Sequence, residues 1–206
     1  DRRIFIGWMS NWDYANVVPT CPWRSAMTVP RELGLIKIGG HNFLVSSRVY
    51  ELEKLVKSHV TKDRVEVKEP VDRTALAGTS MPLVGVETET PAESFAIRLS
   101  NSLGEEVLIG YDRQANQFYI DRSKSGKTTF SDSFAGRRTA PRIGANQEIK
   151  ITLLIDVGSV ELFADQGEVA MSSLFFPNEP YSKIEFLPEE EITFRNMTLS
   201  EMSSIW

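Results

Sequence analysis

Hydrophobic and polar residues alternate along much of this chain. In FAIRL (95–99), Phe95, Ile97 and Leu99 fall on one face, with Ala96 and Arg98 on the other. In EVLIGY (106–111), Val107, Ile109 and Tyr111 share a face. Over 149–157, Ile149, Ile151, Leu153, Ile155 and Val157 line up opposite Lys150, Thr152 and Asp156. A period of two with one polar face predicts half-buried antiparallel strands. Turn residues punctuate them. Gly158-Ser159 is read as a two-residue hairpin loop, Gln166-Gly167 as the turn before EVAMSS, and Ser125-Gly126 as the close of DRSKSGK. Short strands with turns at such spacing predict a sandwich or barrel. One segment breaks the pattern. In SRVYELEKLVKSH (47–59), Val49, Leu52, Leu55 and Val56 fall at helical spacing, which predicts a short linker helix or helical turn. A boundary is therefore placed after it, dividing the chain into residues 1–58 and 59–206.

The N-terminal stretch has a different character. GWMSNWDYANVVPTCPWRSAMTVPREL (7–33) holds three of the chain's four tryptophans, with Asn11, Asp13, Tyr14 and Arg24 among them. Two explanations stand side by side. Tryptophan and tyrosine are large and bury well in a core. The apolar C–H face of a sugar ring also packs on indole, while neighbouring polar side chains bond its hydroxyls. The chain opens on DRRIFIGWM, which already reads as a strand, so it is expected to be the tail of something longer.

Composition narrows the function classes. The 206 residues are 41% hydrophobic and 25% charged, with a net charge of −5 and no basic block, which argues against nucleic acid as a partner. No apolar run approaches the ~20 residues of a membrane-spanning helix. The single cysteine, Cys21, excludes an intrachain disulfide and reads as a buried structural thiol. His41 and His59 read as loop or surface histidines, without the spacing of a metal site. Glu189-Glu190-Glu191 reads as a solvated turn. Asn196-Met197-Thr198 matches a glycosylation sequon but falls in a predicted strand. No nucleophile elbow, Walker loop or dinucleotide fingerprint is present.

The order of motifs supplies a resemblance. RRIFIGWMSNWDYAN (2–16) followed by PTCPWRSAMTVPREL (19–33) resembles the last propeller blade of glycoside hydrolase family 32, the invertases, inulinases and levanases. FYIDRSKSG (118–126), RRTAP (137–141) and IDVGSVELFADQGEVAMSSLFFP (155–177) resemble strands of that family's C-terminal sandwich. The resemblance implies an all-β chain, with a remnant blade of a five-bladed β-propeller and its linker in 1–58 and an antiparallel β-sandwich in 59–206. It implies a parent enzyme that hydrolyses β-fructosyl linkages of fructan or sucrose with retention, using no cofactor or metal. The family's catalytic carboxylates lie in Asp-Pro and Glu-Cys contexts, and neither dipeptide occurs in 1–206. No catalytic residue is therefore carried over, and the chain alone is expected to be inactive. What the resemblance does carry over is a pocket wall: Trp12 first, then Trp8, with Asn11, Asp13 and Tyr14 beside them, while Trp23 and Arg24 hold the blade strand. The implied partners are the fructan or sucrose of the complete enzyme and the missing N-terminal blades. Exposed blade edges offer a route to self-association, and residues 1–40 are expected to lie over the sandwich, pair with another copy or pack poorly. A secreted or periplasmic location follows from the resemblance alone. Two other functions stay open: a carbohydrate-binding sandwich, and a purely structural or oligomerising one. The aromatic residues Phe118, Tyr119, Phe130, Phe134, Tyr181 and Phe186 are scattered rather than gathered in a stripe.

Overall fold

A computed structural model describes residues 1–73 and 84–204. The N-terminal part forms a three-stranded antiparallel sheet in the order β1 (Ile4–Phe5), β2 (Arg31–Ile38) and β3 (His41–Arg48). The remainder of the described chain is two six-stranded antiparallel sheets. One runs β10 (Arg137–Pro141), β9 (Gln117–Lys124), β8 (Glu106–Asp112), β7 (Phe95–Ser100), β14 (Lys183–Pro188) and β5 (Val71–Asp72). The other runs β13 (Val169–Leu174), β12 (Ser159–Ala164), β11 (Glu148–Asp156), β6 (Val84–Pro91), β15 (Ile192–Met202) and β4 (Val56–Val67).

The predicted alternation builds this sandwich. Ile97, Leu99, Ile109 and Phe118 from the first sheet meet Ile149, Leu153, Leu162 and Phe194 from the second in one continuous buried cluster. Phe194 sits edge-on to two rings of the opposite sheet, Phe186 at 4.9 Å and Phe95 at 5.7 Å. Each such aromatic pair adds about 0.5–1.5 kcal/mol beyond its buried area. The scattered aromatics are explained here: Phe118, Tyr119, Phe134, Tyr181 and Phe186 are all buried.

Three local readings need correction. The segment 47–59 is not one helix. Ser47 and Arg48 end β3, Tyr50–Leu55 form a 3₁₀ helix, and β4 starts at Val56. Val49, Leu52 and Leu55 recur every three residues, the 3₁₀ repeat. Pairing of β4 along β15, from Met202↔Val56 to Ile192↔Val67, then takes over from local propensity. The β11–β12 hairpin turns at Val157-Gly158, one residue earlier than read, because Asp156 pairs with Ser159. That register puts Val157 at the exposed turn rather than on the buried face. Cys21 is exposed, not buried, in an irregular stretch that lies outside both hydrophobic clusters.

Several minor readings agree with the structure. His41 and His59 are exposed, each on a strand, and Glu189, Glu190 and Glu191 form an exposed turn. Asn196 lies exposed at a bulge in β15 with φ 49°, a left-handed conformation that asparagine tolerates.

Candidate functional site

The tryptophan-rich stretch folds around one tight turn. The Asn11 carbonyl accepts hydrogen bonds from the Tyr14 and Ala15 amides, at 3.1 and 2.8 Å. The Asn11 side-chain oxygen accepts from the Asp13 amide at 2.9 Å, the self-capping that makes asparagine a turn former. Trp12 therefore sits at the apex of a hydrogen-bonded loop, 85% exposed. Trp8 lies beside it with ring centroids 5.0 Å apart and planes tilted by 57°. Its own backbone is held by an antiparallel bridge to Met27. The pair presents a two-ring apolar surface to solvent with the exposed Asn11 and Asp13 next to it in the turn.

Tyr14 parts from the other four residues singled out in the sequence. It is buried, with its ring edge-on to Phe134 at 5.3 Å and to Phe130 at 6.2 Å. Met9, Tyr14 and Val18 from the N-terminal segment close a second hydrophobic cluster with Phe134, Leu174 and Phe176 from the sandwich. The exposed Trp12 is thus flanked on both sides by residues rooted in that cluster. Trp23 is half exposed. The Thr20 hydroxyl donates to its carbonyl at 2.5 Å, and Arg24 donates to the Asn16 carbonyl.

Residues 1–40 lie over the sandwich, one of the three arrangements expected. Arg31 of β2 pairs with Glu161 of β12, both buried, and also reaches the Ser172 hydroxyl at 2.5 Å. The second Glu161 oxygen accepts from the Val29 amide at 2.7 Å. Burial pushes the Glu161 carboxyl above its ordinary range, and Arg31 pulls it partly back. The guanidinium also stacks over Phe163, 5.0 Å from its centroid. Arg122 of β9 is buried against the same docked segment. It donates to the Phe134 carbonyl at 2.7 Å, the Leu174 carbonyl at 3.2 Å and the Tyr14 hydroxyl at 3.2 Å.

Sequence reasoning passed over Arg31, Arg122 and Glu161, yet two left a signal. Arg122 follows Phe118 and Ile120 at period two, so a charge stands on a core-facing position. Glu161 sits in VELFA, where both faces of the strand are buried. Away from the indole pair, a groove of about 420 Å³ runs between the linker and the sandwich, lined by Arg48, Tyr50, Glu87, Lys150 and Asn196 among others. It includes none of the five expected site residues. Among the described residues, no group of three or more His, Cys, Asp and Glu side chains could hold a metal ion.

Comparison with known proteins places this architecture. Residues 51–201 match the pattern described as "Glycosyl hydrolases family 32 C terminal", and residues 1–47 match that of the "Glycosyl hydrolases family 32 N-terminal domain". The chain belongs to glycosyl hydrolase family 32. Its family relatives include a levanase of Bacillus subtilis (strain 168), 32% identical over 212 residues, covering all of this chain and 31% of the levanase. The extracellular exo-inulinase inuE of Aspergillus niger is 32% identical over 182 residues, covering 85% of this chain and 34% of the inulinase. The crystal structure of an exo-inulinase from Aspergillus awamori superposes with a TM-score of 0.82 at 27% identity, over 98% of this chain and 41% of that one. A β-fructofuranosidase of Schwanniomyces occidentalis, complexed with fructosyl-erythritol, shares the fold at a TM-score of 0.81 and 22% identity, over 98% of this chain and 45% of that one. The chain spans about a third of the length of the curated relatives named here. In family 32 terms, the three-stranded sheet is the remnant of a propeller blade and the twelve-stranded unit is the C-terminal β-sandwich.

Proposed function

We propose that this chain is the C-terminal part of a glycosidase that cleaves β-fructosyl linkages of fructan or sucrose, and that Trp12 and Trp8 form one wall of its fructose pocket. The observation that carries the reading is the solvent-facing indole pair, raised on an anchored turn with Asn11 and Asp13 beside it. An apolar platform with adjacent hydrogen-bonding groups matches the two-sided chemistry of a sugar ring. Similarity to a levanase and an exo-inulinase supports the substrate class.

The reaction proceeds by double displacement, in which a carboxylate forms a fructosyl-enzyme intermediate that water then releases. The carboxylates that perform it lie outside residues 1–206, and this chain contributes binding wall and support. Residues 1–58 supply the blade remnant and linker, and residues 59–206 the sandwich. Tyr14 serves from behind the wall rather than at the sugar. The remaining blades are the natural partner of the apolar residues that stay exposed on this sheet, Ile4, Leu35 and Leu44 among them, and a second copy of the chain is the alternative occupant.

The sandwich as an independent carbohydrate-binding module is the competing reading. The burial of Phe118, Phe134, Tyr181 and Phe186 speaks against it, since a sugar platform needs exposed rings. Two measurements test the proposal. The purified 206-residue chain should release no fructose from sucrose, inulin or levan, and measurable release would overturn the assignment of chemistry to residues outside it. Exchanging this chain for the matching third of the Bacillus subtilis levanase gives a protein in which W12A should raise KM about tenfold, corresponding to ~1.4 kcal/mol of lost sugar binding. An unchanged KM removes the indole wall from the reading.

A further inference from the structure

Arg122 is a buried guanidinium for which no carboxylate partner stands among the described residues. Its charge is held instead by the Phe134 and Leu174 carbonyls, by the Tyr14 hydroxyl, and by the faces of Phe134 and Tyr14, 4.0 and 5.6 Å from their centroids. Such a site holds a cation through fixed dipoles and ring quadrupoles, so its geometry is strict. It also joins separate parts of the chain: β9, the loop after it, the end of β13 and the tryptophan-bearing turn.

We infer that Arg122 is a positioning residue that sets the Trp8–Trp12 pair from inside the sandwich, acting through the phenol of Tyr14. The path is short. Arg122 Nη2 donates to the Tyr14 hydroxyl. Tyr14 is pinned between Phe130 and Phe134, and its amide is bonded to the Asn11 carbonyl, one residue before Trp12. Met9, one residue after Trp8, lies in the same cluster and donates its amide to the Ala26 carbonyl at 2.8 Å. Both indoles therefore hang from backbone whose position is fixed on the sandwich side, while the rings themselves touch little else. A shift of about 1 Å in such a support can cost a binding site up to about a hundredfold. The consequence for sugar rests on the pocket-wall reading above, whereas the positioning itself does not.

The 5.0 Å, 57° indole pair supplies a direct readout. Two indoles at that distance and tilt couple their electronic transitions and give a paired far-ultraviolet circular dichroism band, which W12F should abolish. In the 206-residue chain, R122M should remove most of that band at a temperature where the β-sheet signal is intact. Y14F, which keeps the ring and deletes the hydroxyl, should weaken it, and R122K should restore it in part. A band unchanged in R122M, with only the melting temperature lowered, means Arg122 merely stabilises the fold and overturns the inference. If R122M fails to fold, Y14F and R122K decide the matter, and an unchanged band in both overturns it. In the levanase exchange protein, R122M should raise KM about tenfold with kcat altered less than about twofold. Loss of the band with KM unchanged leaves the positioning intact and refutes the sugar wall instead.

Discussion

Arg31 and Glu161 illustrate what a single buried pair does at this junction. Neither charge could be buried alone, because desolvation costs several kcal/mol per ion, and here each finds its partner beneath the docked strand. Glu161→Ala should therefore cost about 3–5 kcal/mol, most of it from leaving Arg31 buried and unpaired. Urea denaturation would show this as a lower midpoint; a change below ~1 kcal/mol would mean that water reaches Arg31. Tyr181 makes a second residue-scale case. Its hydroxyl donates to the Ser125 carbonyl at 3.1 Å, and burial, with Glu105 and Glu106 nearby, pushes the phenol well above its ordinary range. Burial pushes Tyr119 the same way. A raised acid contributes stability that is fully present below the unfolded value of about 10 and is lost as pH rises through the folded one. Stability should fall above about pH 10, and Y181F should flatten that fall while costing about 1 kcal/mol at neutral pH. Equal slopes for both proteins would refute the assignment.

At the scale of elements, the strands that pack both sheets are legible because their neighbours demand strict alternation. Phe95-Ile97-Leu99 and Ile149-Ile151-Leu153-Ile155 each face one continuous core. Residues 50–55 are not legible as a 3₁₀ turn, because a repeat of three and one of 3.6 cannot be told apart over two turns. The anchored half of the tryptophan segment is equally hidden. Nothing in SNWDY distinguishes Trp12, which faces water, from Tyr14, which faces Phe134, since the deciding contacts come from more than a hundred residues away. Two places show how closely elements approach. Gly167, at φ 93°, lies where an added Cβ would stand 2.6 Å from the Ser46 carbonyl oxygen, and Ser47 donates to the adjacent Gln166 carbonyl at 2.5 Å. Gly167→Ala should force β3 off the sandwich and cost at least ~1 kcal/mol, with amide exchange in β3 rising faster than in β11. Uniform exchange in both strands would refute that picture. At the other end of the same sheet, Arg2 ties β1 to the linker through Glu32 at 2.8 Å and Glu51 at 2.6 Å. The Arg2 bonds lower the Glu51 carboxyl to about 2. The tether is thus present above the ordinary glutamate value and is lost as pH falls through about 2. A carboxyl NMR titration should place Glu51 there, and R2A should return it to about 4.3; an unmoved midpoint would break the assignment.

Across the whole molecule, the sandwich is not closed on itself. Glu161 and Phe163 look outward from β12 and are buried only because the blade remnant covers them; Phe134, Leu174 and Phe176 are closed over by Met9, Tyr14 and Val18. Composition and alternation predict an all-β chain, and the motif order predicts the family. Neither could reveal that one face of β12 belongs to the neighbouring unit, because a strand buried on both sides reads the same whatever covers it. This shared face bears on how such proteins can be recombined. The linker at 49–55 looks like a natural crossover point, yet a cut there would strand a glutamate, four phenylalanine and leucine side chains and a caged arginine without their cover. Chimeras joined upstream of the blade remnant should express as soluble protein, whereas those joined at the linker should aggregate. For inheritance and for engineering, the transferable unit is the sandwich together with its last blade.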